Sequence, residues 1–572
     1  MSCCVNSSEG FGELQIIGRK AESRRSPRRR VGRIRRSSSA RSSLLPEKSL
    51  MRFWPYLLLL LGILPFLNKP YHIDDPVFLA VADQIRVDPT HPYDVSINWT
   101  DRPLRVGQFM GSPPLHSYYL ALVRSFGPDK EWWMHLCMIP FALIGLHAIY
   151  RLSGGDLLCA CFWISAPAVL VSATNLMPDI SVAALTTLGA AFFFERRWVL
   201  SGCTLLLASL IRYNAAAVLP GLAFYAIVTR QWRSLTAVAL PCAAIFAWVV
   251  LSKDVLEAGK SLTSADWLLG ERLVATPIFL LGATIAPLSL VVVRLKRLEV
   301  VVALLCAMAA GYACGYADVG RTHVSIELIV ILSGMGTFAL VSHLLRAIRL
   351  WRTEGEPLDL SLWLWAFMAL AIPLVYVQVS AKYMTVAAAP LALLTLRGSA
   401  ISRRIAWAGV GVWFLLSFSL SAADMELASM YRRIALSKVR QGMWFTGHWG
   451  VQWYGMPMGG RPMTIEQRPA VGDTIMVLMQ ARLATLDYTD GLRRVEILET
   501  MAPSSRLPVR ILNYEAAAGW YSQFWGLLPY SFSTVPLERM YIGRILEIDK
   551  MPHHTRYLGR PVERGAAPND VR

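Results

Sequence analysis

The sequence predicts an α-helical polytopic membrane protein that carries a small C-terminal α/β domain. The 572 residues are 54% hydrophobic and only 17% charged, whereas globular domains carry about a quarter charged residues. Apolar runs that are long enough, or nearly long enough, to cross a bilayer recur about thirteen times between residues 53 and 422. A polar region follows, from residue 424 to 572. These three observations exclude an ordinary soluble enzyme.

The chain begins with a strongly basic tail. Residues 1–50 contain twelve Lys or Arg and four Glu, so +8 of the formal net charge of +18 precedes the first apolar run. The tail lacks apolar periodicity, and we expect it to be disordered. Such a run is also found in nucleic-acid-binding arms. Because this one adjoins a membrane span, we expect a cytoplasmic tail that contacts anionic membrane lipids and no nucleic acid.

The loops between the apolar runs alternate in charge, which predicts their sides of the membrane. Basic loops include "ERR" at 195–197, "RLKR" at 294–297 and "RAIRLWR" at 346–352. The loops between them are poor in Lys and Arg, as at 177–179, 318–323 and 380–383. By the positive-inside rule the N-terminus is cytoplasmic, and thirteen crossings place the C-terminus outside. Residues 200–229 leave open whether one span or two is present there.

These assignments divide the chain into four parts. We predict a disordered tail (1–50), a transmembrane domain (51–423) with a long outer loop (71–132), an extracytoplasmic α/β domain (424–550) and a second disordered tail (551–572). Two segments of the α/β domain are typical of strands, "DTIMVLMQARLA" from Asp473 and "ERMYIGRILEI" from Glu538.

The outer loop opens on two adjacent carboxylates, Asp74 and Asp75 in "YHIDDP". Charges this close to a membrane span are costly, so function or structure must retain them. Asp75 precedes Pro76, which suits the first position of a helix, and Asp75 therefore suits the N-cap. Asp74 is left without a structural task. A second surface helix is predicted to begin at Pro113, with Ser112 as its cap.

Three more charged residues lie at outer ends of the apolar runs. They are Asp179 in "MPD", Arg212 in "IRYN" and Lys382 in "SAKY". Asp179 also suits a helix cap, and the two cations also suit side chains that extend to the membrane interface. Taken together, carboxylates that face Arg and Lys at a membrane surface are typical of a site for a phosphate head group.

These segments resemble the GT-C superfamily of integral membrane glycosyltransferases. The resemblance is greatest to glycosyltransferase family 39, the protein O-mannosyltransferase-like and aminoarabinose-transferase-like enzymes. It rests on "HIDDP", "SPPLHSYYLAL", "MPD", "IRYNAAAVLP" and "AKYMTVAAAPLALL", and further along on "FTGHWGVQWYGMPMGG" and "AGWYSQFWGLLPYSF". One position departs from the pattern, since relatives often have Lys where this chain has Ser112.

The resemblance implies transfer of a sugar from a polyprenyl-phosphate donor to an acceptor hydroxyl. The acceptor would be a protein, a lipid or a glycan on the non-cytoplasmic face of the cell (inner) membrane. Asp74 would be the catalytic base and Asp179 a second acidic contact, while Arg212 and Lys382 would bind the donor phosphate. A single base that activates an acceptor on the opposite face implies inversion at the anomeric carbon.

Three points stay open at this stage. A divalent cation, Mg²⁺ or Mn²⁺, between Asp74, Asp75 and the phosphate is compatible with hard oxygen ligands, but no spacing demands it. A polytopic transporter or flippase of a lipid-linked or anionic substrate is the rival class. The large outer loop and the outer C-terminal domain disfavour that class. A non-catalytic assembly subunit is the third reading.

Overall fold

The computed structural model describes residues 53–99, 103–252, 269–314, 325–376, 378–397, 402–464, 467–481 and 492–548. The predicted disordered tails, 1–50 and 551–572, lie outside these ranges. Within these ranges the chain is mainly helical as far as Lys438, apart from a short hairpin in the outer loop, and a small sheet follows. The predicted class, a helical membrane domain followed by a small α/β domain, is confirmed.

The helices of the first half follow the predicted apolar runs and surface segments. They are α1 (Trp54–Ile63), α2 (Asp75–Val87), α3 (Leu115–Phe126), α4 (Glu131–Leu152), α5 (Leu157–Ser165), α6 (Pro167–Ala173), α7 (Asp179–Phe194), α8 (Trp198–Ile211), α9 (Leu219–Val228) and α10 (Thr236–Leu251). Pro167 begins α6 after a break at Ala166 (φ −65°, ψ +126°), because proline disfavours a helical conformation in the residue before it and fits the first turn of the new helix.

The second half continues in the same way to the end of the membrane domain. Its helices are α11 (Leu269–Ala283), α12 (Ala286–Val292), α13 (Arg297–Cys314), α14 (Ile326–Glu354), α15 (Leu358–Val375), α16 (Thr385–Arg397) and α17 (Arg403–Lys438). A short 3-10 turn, Ala381–Met384, leads into α16. Helix α17 runs through residue 424, where we predicted the outer domain to begin.

Five helical segments of the described residues are long and apolar enough to cross a membrane. They are α4, Trp232–Leu251 (which includes α10), α14, α15 and α17. Shorter apolar helices are Trp54–Phe66, α7, α8 and Tyr213–Val228. The open segment 200–229 therefore contains two helices, which are separated at Arg212. The thirteen crossings and the sides of the two termini stay predictions.

The outer loop contains the two predicted surface helices. The buried face of α2 includes Val77, Phe78, Val81 and Ile85, the positions whose spacing predicted it. Helix α3 packs against α2. Its predicted cap is wrong, because α3 begins at Leu115, after Pro114, and receives no side-chain cap. The backbone carbonyl of Ser112 instead accepts a hydrogen bond from the Tyr93 hydroxyl.

A five-stranded sheet forms the centre of the C-terminal part. Its spatial order is β4 (Arg461–Pro462), β3 (Trp444–Phe445), β5 (Thr474–Leu478), β9 (Met540–Ile548) and β6 (Leu492–Met501). The two segments predicted as strands are β5 and β9, which pair antiparallel. Other elements are the helix α18 (Trp449–Gly455), the hairpin β1 (Ser96–Asn98) and β2 (Pro103–Arg105) of the outer loop, and the pair β7 (Leu512–Asn513) and β8 (Ala518–Gly519).

Candidate functional site

The turn that joins α1 to α2 sends the two adjacent aspartates in different directions. The turn is closed by hydrogen bonds from His72 N to Asp75 Oδ2 (3.3 Å) and from Asp75 N to His72 O (3.1 Å). Between them Ile73 has φ +53°, a left-handed conformation that β-branched residues rarely adopt. As a result the side chain of Asp74 is 27% exposed, whereas that of Asp75 is fully buried.

Asp75 ties two loops together. Its Oδ1 accepts a hydrogen bond from Leu176 N (3.0 Å), in the loop between α6 and α7. Burial raises the pKa of Asp75 to about 6, although the nearby Lys69 and His72 oppose this shift. The predicted helix cap is therefore wrong: Asp75 is the first residue inside α2, and its oxygens accept N–H groups of His72 and Leu176.

The N-cap position of α2 belongs to Asp74, whose side chain makes no cap hydrogen bond. Instead Asp74 Oδ2 accepts a hydrogen bond from Lys382 Nζ in a salt bridge. Since the side chains of Asp74 and Asp75 face different partners, they do not fit the divalent cation that we allowed between them. Among the described residues, no group of three or more His, Cys, Asp or Glu side chains is placed to hold a metal ion.

Lys382 is almost completely buried, in the 3-10 turn before α16. Its ammonium lies 3.4 Å from Met177 Sδ and 5.8 and 5.7 Å from the ring centroids of Tyr383 and Tyr521. Both distances are within the range of cation–π attraction. Lys382 is thus held in a cage whose one charged partner among the described residues is Asp74.

Asp179 and Arg212 form a second ion pair beside the first. Arg212 Nη1 donates to Asp179 Oδ1 at 2.8 Å, and the guanidinium carbon lies 4.8 Å from the Tyr383 ring centroid. Asp179 is the first residue of α7 and is buried. Its second oxygen, Oδ2, has no hydrogen-bond partner within the described residues. The N-cap of α7 is Pro178, so Asp179 is not the cap that was its alternative role.

The four charged residues for which we expected a catalytic or phosphate-binding role therefore lie close together. Asp74 comes from the α1–α2 turn, Asp179 from the start of α7, Arg212 from the end of α8 and Lys382 from the turn before α16. Both cations lie against the Tyr383 ring, at 4.8 Å (Arg212) and 5.8 Å (Lys382) from its centroid. The result is two carboxylate–cation pairs side by side, with Asp74 the most exposed member.

Next to this site, and in contact with it through Tyr521, lies a buried polar network that the sequence analysis missed. Its members are Lys69, His72, Asn175, Asp424 and Tyr521. Lys69 Nζ donates to Asn175 Oδ1 and, at 2.5 Å, to Asp424 Oδ2. The Tyr521 hydroxyl donates to the same Asp424 oxygen at 2.7 Å, and Asn175 Nδ2 donates to Tyr521 Oη at 3.2 Å. His72 Nε2 lies 2.9 Å from Asp424 Oδ1.

The signal for this network was in the sequence but was not used. Asp424 lies inside the last long apolar helix, and a carboxylate at such a position is retained only with a partner or a function. Lys69 lies five residues before Asp74, in the same stretch that drew attention to the aspartates. Buried charges require partners, and Lys69 and Asp424 supply each other's.

Comparisons with known proteins give structural neighbours only. No family model matches the sequence, and no curated protein matches it significantly. The chain is similar in structure to ArnT from Cupriavidus metallidurans bound to undecaprenyl phosphate (TM-score 0.37, 14% identity, 76% of this chain and 94% of that chain). It is also similar in structure to the apo state of ArnT from Cupriavidus metallidurans (TM-score 0.36, 14% identity, 76% of this chain and 93% of that chain). A TM-score below 0.5 does not establish shared activity.

Proposed function

We propose that this chain is a GT-C glycosyltransferase of the inner membrane. It transfers a sugar from a polyprenyl-phosphate donor to an acceptor hydroxyl on the non-cytoplasmic face, with inversion. Asp74 is the catalytic base, Lys382 and Arg212 bind the donor phosphate, and Asp179 is a second acidic contact. The family 39 resemblance of the sequence supports the same reaction.

One observation carries this proposal. Four residues from four distant segments of the sequence, each at the end of an apolar run, converge in two carboxylate–cation pairs. A transferase of this kind needs cations that stabilise the departing phosphate and a carboxylate that takes the acceptor proton. The pairs place both kinds of group within one site. Asp74, the most exposed of the four side chains, is the one that a substrate reaches first.

The reaction balances with these groups alone. The acceptor oxygen attacks the anomeric carbon, and its proton passes to the Asp74 carboxylate. A bond forms between the acceptor oxygen and that carbon, while the bond from the carbon to the phosphate oxygen breaks. The electron pair leaves with the phosphate, whose added negative charge is stabilised by Lys382 and Arg212. Since phosphate is already a competent leaving group, no general acid is required.

The ion pairs indicate how donor binding prepares the base. In the structure Lys382 is bonded to Asp74 and Arg212 to Asp179. A phosphate offers the cations stronger, multidentate oxygen acceptors. We expect donor binding to draw Lys382 and Arg212 from their carboxylates. This exchange frees Asp74 to accept a proton at the moment the donor is in place.

The test is single-turnover sugar transfer by the purified full-length chain in lipid nanodiscs. The donors are a panel of undecaprenyl-phosphate sugars, and the acceptor is a membrane fraction of the host. Asp74→Asn is expected to lose about 10²–10⁴-fold in rate, because an amide does not accept the acceptor proton. Binding of undecaprenyl phosphate should persist in this variant.

A matched control lies on the same helix. Asp83 is partly exposed and pairs with Arg124, which keeps Asp129 as a second partner when Asp83 is neutralised. Asp83→Asn should therefore transfer sugar at the wild-type rate. Wild-type turnover by Asp74→Asn overturns the catalytic assignment. Movement of the labelled lipid across the bilayer without sugar transfer identifies a flippase instead.

A further inference from the structure

The C-terminal domain touches both segments that carry the site. Tyr521 and the residues beside it lie against the strand-like segment Val379–Ala381, immediately before Lys382. Ala381 N donates to Trp520 O at 2.8 Å, and Gln523 N donates to Val379 O at 3.0 Å. Side-chain bonds reinforce the pairing, from Ser380 Oγ to Trp520 O (3.1 Å) and from Val379 N to Gln523 Oε1 (2.5 Å).

Helix α18 of the same domain lies against the turn that carries Asp74. A Cβ added to Gly450 would stand 2.8 Å from the backbone oxygen of Tyr71, so only glycine permits this approach. The hydroxyl of Tyr454 accepts a hydrogen bond from Tyr71 N at 3.0 Å. The domain therefore holds the Asp74 turn from one side and the Lys382 turn from the other.

Tyr521 links these two contacts through the buried network. Its hydroxyl donates to Asp424, whose other oxygen lies 2.9 Å from His72 Nε2, two residues before Asp74. Its ring faces His72 edge-on at 5.7 Å and lies 5.7 Å from Lys382 Nζ. One side chain thus contacts the cation that pairs with Asp74 and the residue that orients the Asp74 turn.

The backbone of that turn needs such support. Ile73 has φ +53°, and a β-branched residue in this region is strained. Strained backbone persists only where surrounding contacts determine it. His72 on one side of Ile73 and Asp75 on the other are both fully buried and both bonded, whereas Asp74 is free to face Lys382.

We propose that Tyr521 is a positioning residue of the transferase site and that the C-terminal domain is a working part of the catalytic unit. The ring of Tyr521 fixes the ammonium of Lys382 for the donor phosphate. Its hydroxyl, through Asp424 and His72, fixes the direction of Asp74. This inference rests on the proposed function, since it assigns a role toward the same base and the same cation.

The test separates the ring from the hydroxyl. Tyr521→Phe keeps the ring and removes the bond to Asp424, so single-turnover transfer should fall about tenfold while undecaprenyl phosphate binds as in wild type. Tyr521→Leu removes both, so its affinity for undecaprenyl phosphate should also fall about tenfold, the order of one cation–π contact. Both variants are compared as the full chain, at equal folded fraction by thermal unfolding.

A control variant reports what loosening of the domain does by itself. Tyr431 of α17 donates to the buried carboxylate of Glu538 at 3.0 Å, and the groups around the Lys382 ammonium among the described residues (Asp74, Met177, Tyr383 and Tyr521) do not include it. Tyr431→Phe should lower the unfolding temperature and leave lipid affinity per folded molecule unchanged. If Tyr431→Phe weakens lipid binding as much as Tyr521→Leu does, Tyr521 is merely structural and the inference fails.

A further variant tests the contact between α18 and the turn that carries Asp74. Gly450→Ala pushes on the Tyr71 carbonyl and should lower transfer without changing lipid affinity, because it displaces the Asp74 turn but not Lys382. Wild-type transfer by both Gly450→Ala and Tyr521→Phe overturns the inference. Failure of the proposed function is seen separately: in that case wild type transfers no sugar, and Lys382→Met binds undecaprenyl phosphate as wild type does.

Discussion

Two neighbouring sets of charges in this protein have opposite surroundings. Each ion pair at the site keeps one partly exposed member, Asp74 beside Lys382 (27% exposed) and Arg212 beside Asp179 (14% exposed), and each pair is held by few other bonds. The buried polar network is shielded from solvent, and each of its charged members has several polar contacts. Lys69, for example, donates to both Asn175 and Asp424. The two adjacent aspartates differ in this respect. Asp74 belongs to the ion pairs at the site, whereas Asp75 contacts His72 of the buried polar network.

This difference teaches what each set can do. A pair with exposure and few bonds can exchange partners when a charged substrate arrives. A buried pair with every partner inside the protein cannot exchange without leaving a charge unpaired in a low dielectric. The two ion pairs at the site thus suit substrate binding and proton transfer, whereas the buried polar network suits holding the backbone in place.

The largest effect is expected from breaking the buried pair. Lys69→Met leaves Asp424 in the interior without its ammonium partner, which should cost about 3–5 kcal/mol in the free energy of unfolding. The double variant Lys69→Met/Asp424→Asn should recover part of this loss, because no unpaired charge remains. Lys382→Met should cost about 1 kcal/mol, since its partner Asp74 keeps contact with solvent. Denaturant unfolding in detergent measures all three, and equal losses for Lys69→Met and Lys382→Met would contradict the comparison.

The next effect concerns pH and the buried aspartate. Burial raises the pKa of Asp75 from 3.8 to about 6. Because the folded-state pKa lies above the unfolded value, the stabilising contribution of Asp75 is present below pH 4 and is lost as the pH rises through 6. The loss corresponds to about 3 kcal/mol.

Asp75→Asn removes this titration and provides the reference. The stability of wild type relative to Asp75→Asn should therefore decrease between pH 4 and pH 7, as measured by unfolding at fixed ionic strength. Asp83→Asn, which replaces a partly exposed carboxylate of the same helix, serves as the control for the substitution itself. A wild-type advantage that grows with pH would mean that Asp75 is ionised throughout and that its two N–H partners outweigh its burial.

The smallest expected effect tests the role of the ion pair between Asp74 and Lys382. If the donor phosphate and Asp74 compete for Lys382, neutralising Asp74 should tighten binding of undecaprenyl phosphate. The expected gain is about threefold to fivefold, the order of one partly exposed ion pair. Binding is measured with the purified chain in nanodiscs, and Asp179→Asn should act in the same direction through Arg212. Weaker binding by Asp74→Asn would show that the carboxylate helps to hold the donor and does not compete with it.

Much of the fold followed from the sequence because it depends on local patterns. Long apolar runs predict helices in a membrane whatever their neighbours are, and α4, α14, α15 and α17 agree with them. The spacing of Val77, Phe78, Val81 and Ile85 determines which face of α2 is buried. Strands β5 and β9 were visible as apolar segments between turn signals.

The residues of the proposed site also stood out in the sequence. Charged residues are scarce at the predicted outer ends of the apolar runs, so Asp74, Asp179, Arg212 and Lys382 stood out without any knowledge of contacts. Sequence could not say which carboxylate would pair with which cation. The sequence also predicted that Asp75 caps α2. That prediction was wrong, because the left-handed conformation of Ile73 sets the turn before α2 so that Asp75 is already inside the helix.

Only the tertiary structure decided how the buried network and the C-terminal domain belong to the site. Lys69 and Asp424 are 355 residues apart in the chain, and Tyr521, a further 97 residues on, donates to Asp424. No local pattern encodes such contacts, because they depend on how whole helices and the sheet pack. Sequence determined which residues need partners in or near a membrane, since the cost of a charge there is local. The fold determined the partners, since pairing requires that distant segments meet.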